Sequence, residues 1–192
     1  MLLKILNDRH KVINQRVEKI VYCYKEEQQK VIDFAAQDKS VVLVDNIDSI
    51  DEHITGENTI LVLDDWLTEL SSSYNKKLET LITRESHHKK IAVFVLVQNC
   101  YAKNFRTISL NSQYLAFFLQ ARDLSTIYHL ARQVAPSRSS DLIKAYRRAT
   151  SKGVGSYLFF DFTPLTDDKY RVRNSVFCNE DTEIYVLDEN DY

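Results

Sequence analysis

Glycine is scarce in this chain of 192 residues. There are three, Gly56, Gly153 and Gly155, where average usage of ~7% would supply roughly a dozen. Loops that cradle phosphate are built from glycine because the backbone must approach the ligand closely. The P-loop pattern G-x-x-x-x-G-K-[ST] has no match within residues 1–192. The one glycine-rich turn, SKGVGS (151–156), leads from a helical pattern into a strand pattern. A phosphate cradle needs the strand first and the helix second, so this turn reads as the end of a helix.

Other shortages narrow the field further. The three cysteines, Cys23, Cys100 and Cys178, are odd in number and far apart, with no CxxC or Cys/His cluster. That argues against a disulfide framework or structural zinc and for reduced thiols in an intracellular protein. His87 and His88 are adjacent, and neighbours on a helix point apart, so one face would not offer both to a metal. The formal net charge of −2 leaves no overall basic field, so any nucleic-acid contact needs a local patch or an oligomeric pore. Apolar runs such as Ile91–Val97 are too short to span a bilayer. The start, MLLKILNDRH, turns polar too soon for a signal peptide.

What is present is an ordinary globular balance, 44% hydrophobic and 27% charged, and a length that suits one α/β domain with a single core over 1–192. Apolar or β-branched runs predict strands at 18–24, 41–45, 59–65, 91–99, 114–120, 157–162, 170–177 and 182–187. Helical spacing predicts helices over 26–36, 66–84, 121–134 (capped near Asp123) and 141–152 (started by Ser139 or Ser140), with the first nine residues as the back half of another. Segment 46–58 reads as a connection with a single helical turn, and 100–112 as a loop with room for a short helix. The alternation argues for a mostly parallel sheet covered by helices on both faces, with antiparallel additions at the C-terminal end. The tail DENDY reads as frayed.

In a parallel sheet the working groups sit at the carboxyl ends of the strands. TILVLDDWLTE (59–69) ends its apolar run in Asp64 and Asp65, and IAVFVLVQN (91–99) ends in Gln98 and Asn99. Nucleotide hydrolysis needs a held metal, a positioned water and cations for developing charge. Asp64 could hold Mg²⁺ through water, Asp65 could orient the attacking water, Gln98 could sense a γ-phosphate, and Arg84 could act across a subunit boundary. Each has a plainer explanation: Asp-Asp favours the N-terminus of a following helix, Arg84 favours a helix C-terminus, and the amides suit a loop start.

The ordered stretches VLDDWLTEL, ITRESHHKKIAVFVLVQN and FRTISLNSQYLAFFLQARDLSTIYHLARQV resemble viral genome-packaging ATPases. The resemblance is to those of Maverick/Polinton-type elements and related DNA viruses, within the FtsK–HerA superfamily of P-loop translocases, and runs from about Leu2 to Phe177. It implies a RecA/FtsK-like core in which Asp64 is the Walker B acid associated with Mg²⁺. Asp65 takes the place of the water-polarising acid, where glutamate is common. Gln98 matches the polar sensor, and Arg84 is the candidate trans arginine finger. It also implies ATP and Mg²⁺ as cofactors, and double-stranded DNA and capsid proteins as partners. The assembly would be a homo-oligomeric ring such as a hexamer, with no membrane, in the nucleus, a cytoplasmic viral assembly site or the virion.

The family's first strand and P-loop would fall before residue 1, with MLLKIL as the tail of the P-loop helix. Lacking that segment, residues 1–192 are expected not to hydrolyse ATP alone. Two other readings stay open. One is a non-hydrolysing assembly or DNA-binding partner with the translocase fold. The other is a receiver-type signalling domain, in which an acidic pair holds Mg²⁺ beside a phosphorylated aspartate.

Overall fold

The computed structural model describes residues 1–54, 58–66, 79–82, 86, 90–98, 105–121 and 124–187, the side chains of 105 and 106 excepted. The chain divides into two compact units, Met1–Asn111 and Ser112–Tyr192.

The first unit begins with helices α1 (Leu2–Asn7) and α2 (Arg9–Val12). Strand β1 (Lys19–Tyr24), helix α3 (Gln29–Gln37) and strand β2 (Val41–Val44) follow. A tight turn at Ile47–Ser49 runs into the short helix α4 (Ile50–His53), the single helical turn expected in 46–58. Strands β3 (Thr59–Asp64) and β4 (Ile91–Leu96) and helix α5 (Phe105–Asn111) complete the unit. The expected helix over 66–84 falls mostly outside the described residues; residues 79–82 are helical.

The four strands form a parallel sheet in the order β2-β1-β3-β4. Period two along the central strands divides the core into two halves. On one face Val21, Cys23, Leu61 and Leu63 pack with Val44, Ile47, Ile50, Leu81, Ile91 and Ile108. On the other, Ile20, Tyr22, Ile60 and Val62 pack with Leu6, Val31 and Phe34. A sheet buried on both faces has no place for charge inside its strands, which is why β3 reads TILVL before its first acid. Leu6, fully buried, fixes α1 to the second face; burying such a side chain contributes about 2 kcal/mol.

The second unit holds β5 (Tyr114–Phe118), helices α6 (Ser125–Val134) and α7 (Ser139–Thr150), β6 (Tyr157–Asp161) and β7 (Val172–Arg173). Its sheet is antiparallel, in the order β5-β6-β7. Leu142, Ile143, Ala145, Tyr146 and Ala149 form the buried stripe of α7 against Leu158 and Phe160. The Tyr146 hydroxyl donates to the Phe118 carbonyl at 2.9 Å and accepts from the Gln120 N–H at 3.0 Å, tying α7 to the end of β5.

Three local expectations change. Helix α7 starts at Ser139, as expected, but ends at Thr150, two residues short of the expected end, with Arg138 as its cap residue and the Arg138 guanidinium on Asp141 at 2.7 Å. Helix α6 begins after Leu124, and Asp123 lies outside the described residues. The predicted strands at 170–177 and 182–187 shrink to β7 and a single bridge between Arg173 and Ile184. The reason is local competition for a ladder donor: the Glu183 N–H goes to the Asn174 side chain at 2.8 Å. The SKGVGS turn does end a helix, with Gly153 at φ +142° and Gly155 at φ +84°, angles that side chains rarely adopt.

Candidate nucleotide site

The register of the parallel sheet aligns Tyr24, Asp64 and Leu96 as partners on β1, β3 and β4. All three strand ends therefore open at one edge of the sheet. There the Asp64 carboxylate accepts two hydrogen bonds at Oδ2, from the Tyr22 hydroxyl at 2.9 Å and the Gln28 side-chain amide at 3.1 Å. Burial raises the pKa of Asp64, the Tyr22 hydrogen bond opposes that shift, and the neighbouring Asp65 charge adds to it. The Tyr22 hydroxyl is pushed up in turn, by burial first and then by the Asp64 charge. Two acids thus share a partly desolvated corner, and the two donors to Asp64 are a phenol and an amide.

The next residue turns the chain. The Asp65 N–H donates to the Leu96 carbonyl at 3.2 Å, extending the ladder by one step, and the backbone then enters the left-handed region at φ +60°. Asp and Asn tolerate that region better than other side chains. The Gln98 side-chain amide donates to Asp65 Oδ2 at 3.1 Å. The structure thus brings together Asp64, Asp65 and Gln98 from two adjacent strand ends. Arg84 and Asn99 lie outside the described residues, as do His87 and His88.

Sequence reasoning missed Tyr22 and Gln28. Tyr22 sits inside an apolar strand and Gln28 in a polar run, and both reach Asp64 across about forty residues of chain through the pairing of β1 with β3. Tyr22, between apolar neighbours in the buried stretch IVYC of β1, was the available signal, because a buried hydroxyl needs a partner.

Mg²⁺ takes oxygen ligands, usually one or two carboxylates plus substrate phosphates and waters. The pair fits that ion: both Asp64 donors address Oδ2, and the raised pKa of Asp64 marks a carboxylate that a cation would relieve. Among the described residues no group of three or more His, Cys, Asp or Glu forms a cage of its own. Close by, the buried Cys23 thiol is pushed up to about 12 by burial and the Asp45 charge. That removes it from nucleophilic chemistry at neutral pH.

Solved structures carry the same architecture. B204, the DNA-packaging ATPase of Sulfolobus turreted icosahedral virus, superposes with a TM-score of 0.55 at 10% identity, over 96% of this chain and 86% of that one. The fold is that of a viral genome-packaging NTPase. Two structures of the packaging NTPase B204 from Sulfolobus turreted icosahedral virus 2 agree. The complex with ATP-gammaS gives a TM-score of 0.52 at 11% identity, and that with AMPPCP gives 0.51 at 9%, each over 96% of this chain and 86% of the other. No family model matches the chain, and no curated protein matches it significantly. Among the described residues no helix is long and apolar enough to cross a membrane.

Proposed function

We propose that this chain is a DNA-packaging ATPase-like protein and that Asp64, Asp65 and Gln98 form the Walker B half of its nucleotide site. The observation that carries the reading is their meeting at the carboxyl tips of adjacent parallel strands in a chain with the fold of packaging NTPases. ATP with Mg²⁺ is the assigned ligand; the ion supplies neutralisation of phosphate charge when bound. Asp64 holds the waters of the ion, Asp65 orients the attacking water, and Gln98 fixes the Asp65 carboxylate and faces the γ-phosphate. Arg84 is assigned the trans finger of a homo-oligomeric ring acting on double-stranded DNA at a capsid. Residues 1–192 form one domain in this reading, with 1–9 as the tail of the P-loop helix and 157–192 as C-terminal additions.

Residues 1–192 alone are proposed to be inactive, because the phosphate cradle and its lysine are not among them. Two observations support a strand and P-loop laid against this sheet. Helix α1 packs Leu6 against the β1 and β3 face. Strand β4, at the end of the order, is wholly apolar, IAVFVL, whereas strands that stay on an edge usually carry charge. The non-hydrolysing partner reading shares these facts and differs only in what covers β4.

The strand order also fits a receiver-type domain, whose acid pair would follow β1, where Glu26 and Glu27 stand. Both are exposed, and it is Tyr22 and Gln28 that hold Asp64, so this reading ranks last.

Trp66, the single tryptophan, adjoins Asp65 and reports on the site. Mn²⁺ added to the 192-residue chain should quench Trp66 fluorescence and broaden the amide signals of Asp64, Asp65 and Gln98, and Asp64→Asn should abolish both effects. Broadening elsewhere with these signals untouched would overturn the site. ATP turnover above background that Asp64→Ala removes would overturn the proposed inactivity.

A further inference from the structure

The chain carries a net charge of −2, yet its cations are not spread evenly. Between Ser125 and Lys152 lie Arg132, Arg138, Lys144, Arg147, Arg148 and Lys152, against Asp141 as the one acid. Four of the six stand on α7 and the residues just beyond it, opposite the buried stripe. Lys144 and Arg148 keep 77% and 70% of their side-chain surface exposed, and Arg147 and Lys152 are exposed as well. Lys144, Arg148 and Lys152 follow one another at four-residue steps, about 6 Å apart along the axis, with Arg147 beside them. Favourable interaction with the helix dipole accounts for cations in a last turn, Arg132 on α6 and Arg147 and Arg148 on α7, but it does not account for Lys144 or Lys152.

The row is partly closed by two carboxylates, Asp141 on Lys144 at 2.9 Å and Glu183 on the other end. Glu183 bonds Arg148 at 3.2 Å and Lys152 at 2.8 Å and accepts from the Tyr185 hydroxyl at 2.9 Å. Lys152, Tyr185 and Arg148 hold its carboxyl down to about 2. Glu183 therefore sits as an anion between two exposed cations, where an oxygen of a phosphodiester would make the same charge-assisted bonds. Arg132 and Arg147 have no ion-pair partner among the described residues.

We propose that the outer face of α7, Lys144, Arg147, Arg148 and Lys152, is a docking surface for the phosphate backbone of double-stranded DNA, with Glu183 as an internal competitor for Arg148 and Lys152. Cations that meet phosphate oxygens position a duplex without reading its sequence. A membrane surface fits less well. A helix lying in lipid needs a free apolar face, and that of α7 is spent on the core through Leu142, Tyr146 and Ala149. The choice of duplex DNA over other polyanions rests on the packaging reading; the location of the surface does not.

The test is anisotropy of a labelled random-sequence duplex with the 192-residue chain, over about 50 to 200 mM salt. The parent should bind at low salt and weaken steeply as salt rises. Lys144→Glu with Arg147→Glu should cost at least tenfold in affinity and flatten the logarithmic salt slope by about two, at ~0.9 per lost phosphate contact. Glu183→Gln should tighten binding several-fold, while Glu52→Gln, the same charge change in the other unit, should leave it within about twofold. Unchanged melting curves would show that the variants fold. No binding by the parent, or undiminished binding by the double variant, overturns the proposal. Equal gains from Glu183→Gln and Glu52→Gln overturn the role of Glu183. At least tenfold preference for single-stranded RNA or an acidic peptide overturns the choice of partner. If the Mn²⁺ experiment fails while α7 still governs DNA binding, the nucleotide-site reading falls alone; the reverse result removes only this surface.

Discussion

Asp64 and Asp161 both end a buried strand, one in each unit, and their surroundings are opposite. Asp161, with 5% of its surface exposed, accepts from the Thr163 N–H and hydroxyl, from Thr166 and from the Arg173 guanidinium, all within 3.1 Å. Burial alone would raise its pKa, but the Thr163 bonds and the Arg173 cation overcome that and hold the carboxyl below its ordinary range. Asp64 has a phenol and an amide as partners and a second acid beside it, and its pKa moves up. Asp161 is saturated and organises its own loop, whereas Asp64 keeps an unmet demand for positive charge. A strand-end acid is a candidate site only when the protein has not already neutralised it.

The largest test of that contrast is truncation. Asp161→Ala should destabilise the chain by about 3 kcal/mol, since it leaves Arg173 and two hydroxyls without their acceptor, read as a lower urea midpoint. Asp64→Asn should stay within about 1 kcal/mol of the parent, on the stabilising side, because it removes a charge that burial disfavours. A loss at Asp64 as large as that at Asp161 would make the Asp64 corner structural.

The pH dependences should run in opposite senses. The depressed pKa of Asp161 gives stability that is full above the unfolded value of about 3.9 and is lost as pH falls through the lower folded value. The raised pKa of Asp64 means that the folded chain binds its proton more tightly. Stability should then rise as pH falls from the folded pKa of Asp64 toward about 3.9. Comparing urea midpoints of the parent with Asp64→Asn across that window isolates the second effect, which a saturating divalent cation should erase. The smallest expected effect is at Val154, fully exposed between two glycines, where Val154→Ser should change stability by less than about 0.5 kcal/mol.

The parallel unit was legible where burial on both faces leaves a plain mark. Strands β1, β3 and β4 are apolar runs, and the acids that close β3 fall where the fold class puts functional groups. The second unit was less so. Its core holds an aromatic pair across strands, Phe117 with Phe160, while Tyr114 with Phe159 and Phe118 with Tyr157 pair outside that core, and such pairs depend on a register that a sequence does not display. The same limit hid Tyr22 and Gln28. Asp161 escaped notice because the D-x-T spacing that gives it Thr163 looks like any strand leaving a sheet. The last strands were overread because Asn174 competes for a backbone donor, which alternation alone does not reveal.

The backbone at Asp65 bears on the identity of the acid itself. Relatives in the family that this sequence resembles often carry glutamate there. At φ +60° aspartate is among the few side chains that sit comfortably, and a longer acid would meet both the torsional penalty and a carboxylate carried one methylene farther from Gln98. Chain direction and acid length at this corner are therefore coupled: a chain with glutamate at this position would be expected to leave its strand by a right-handed turn.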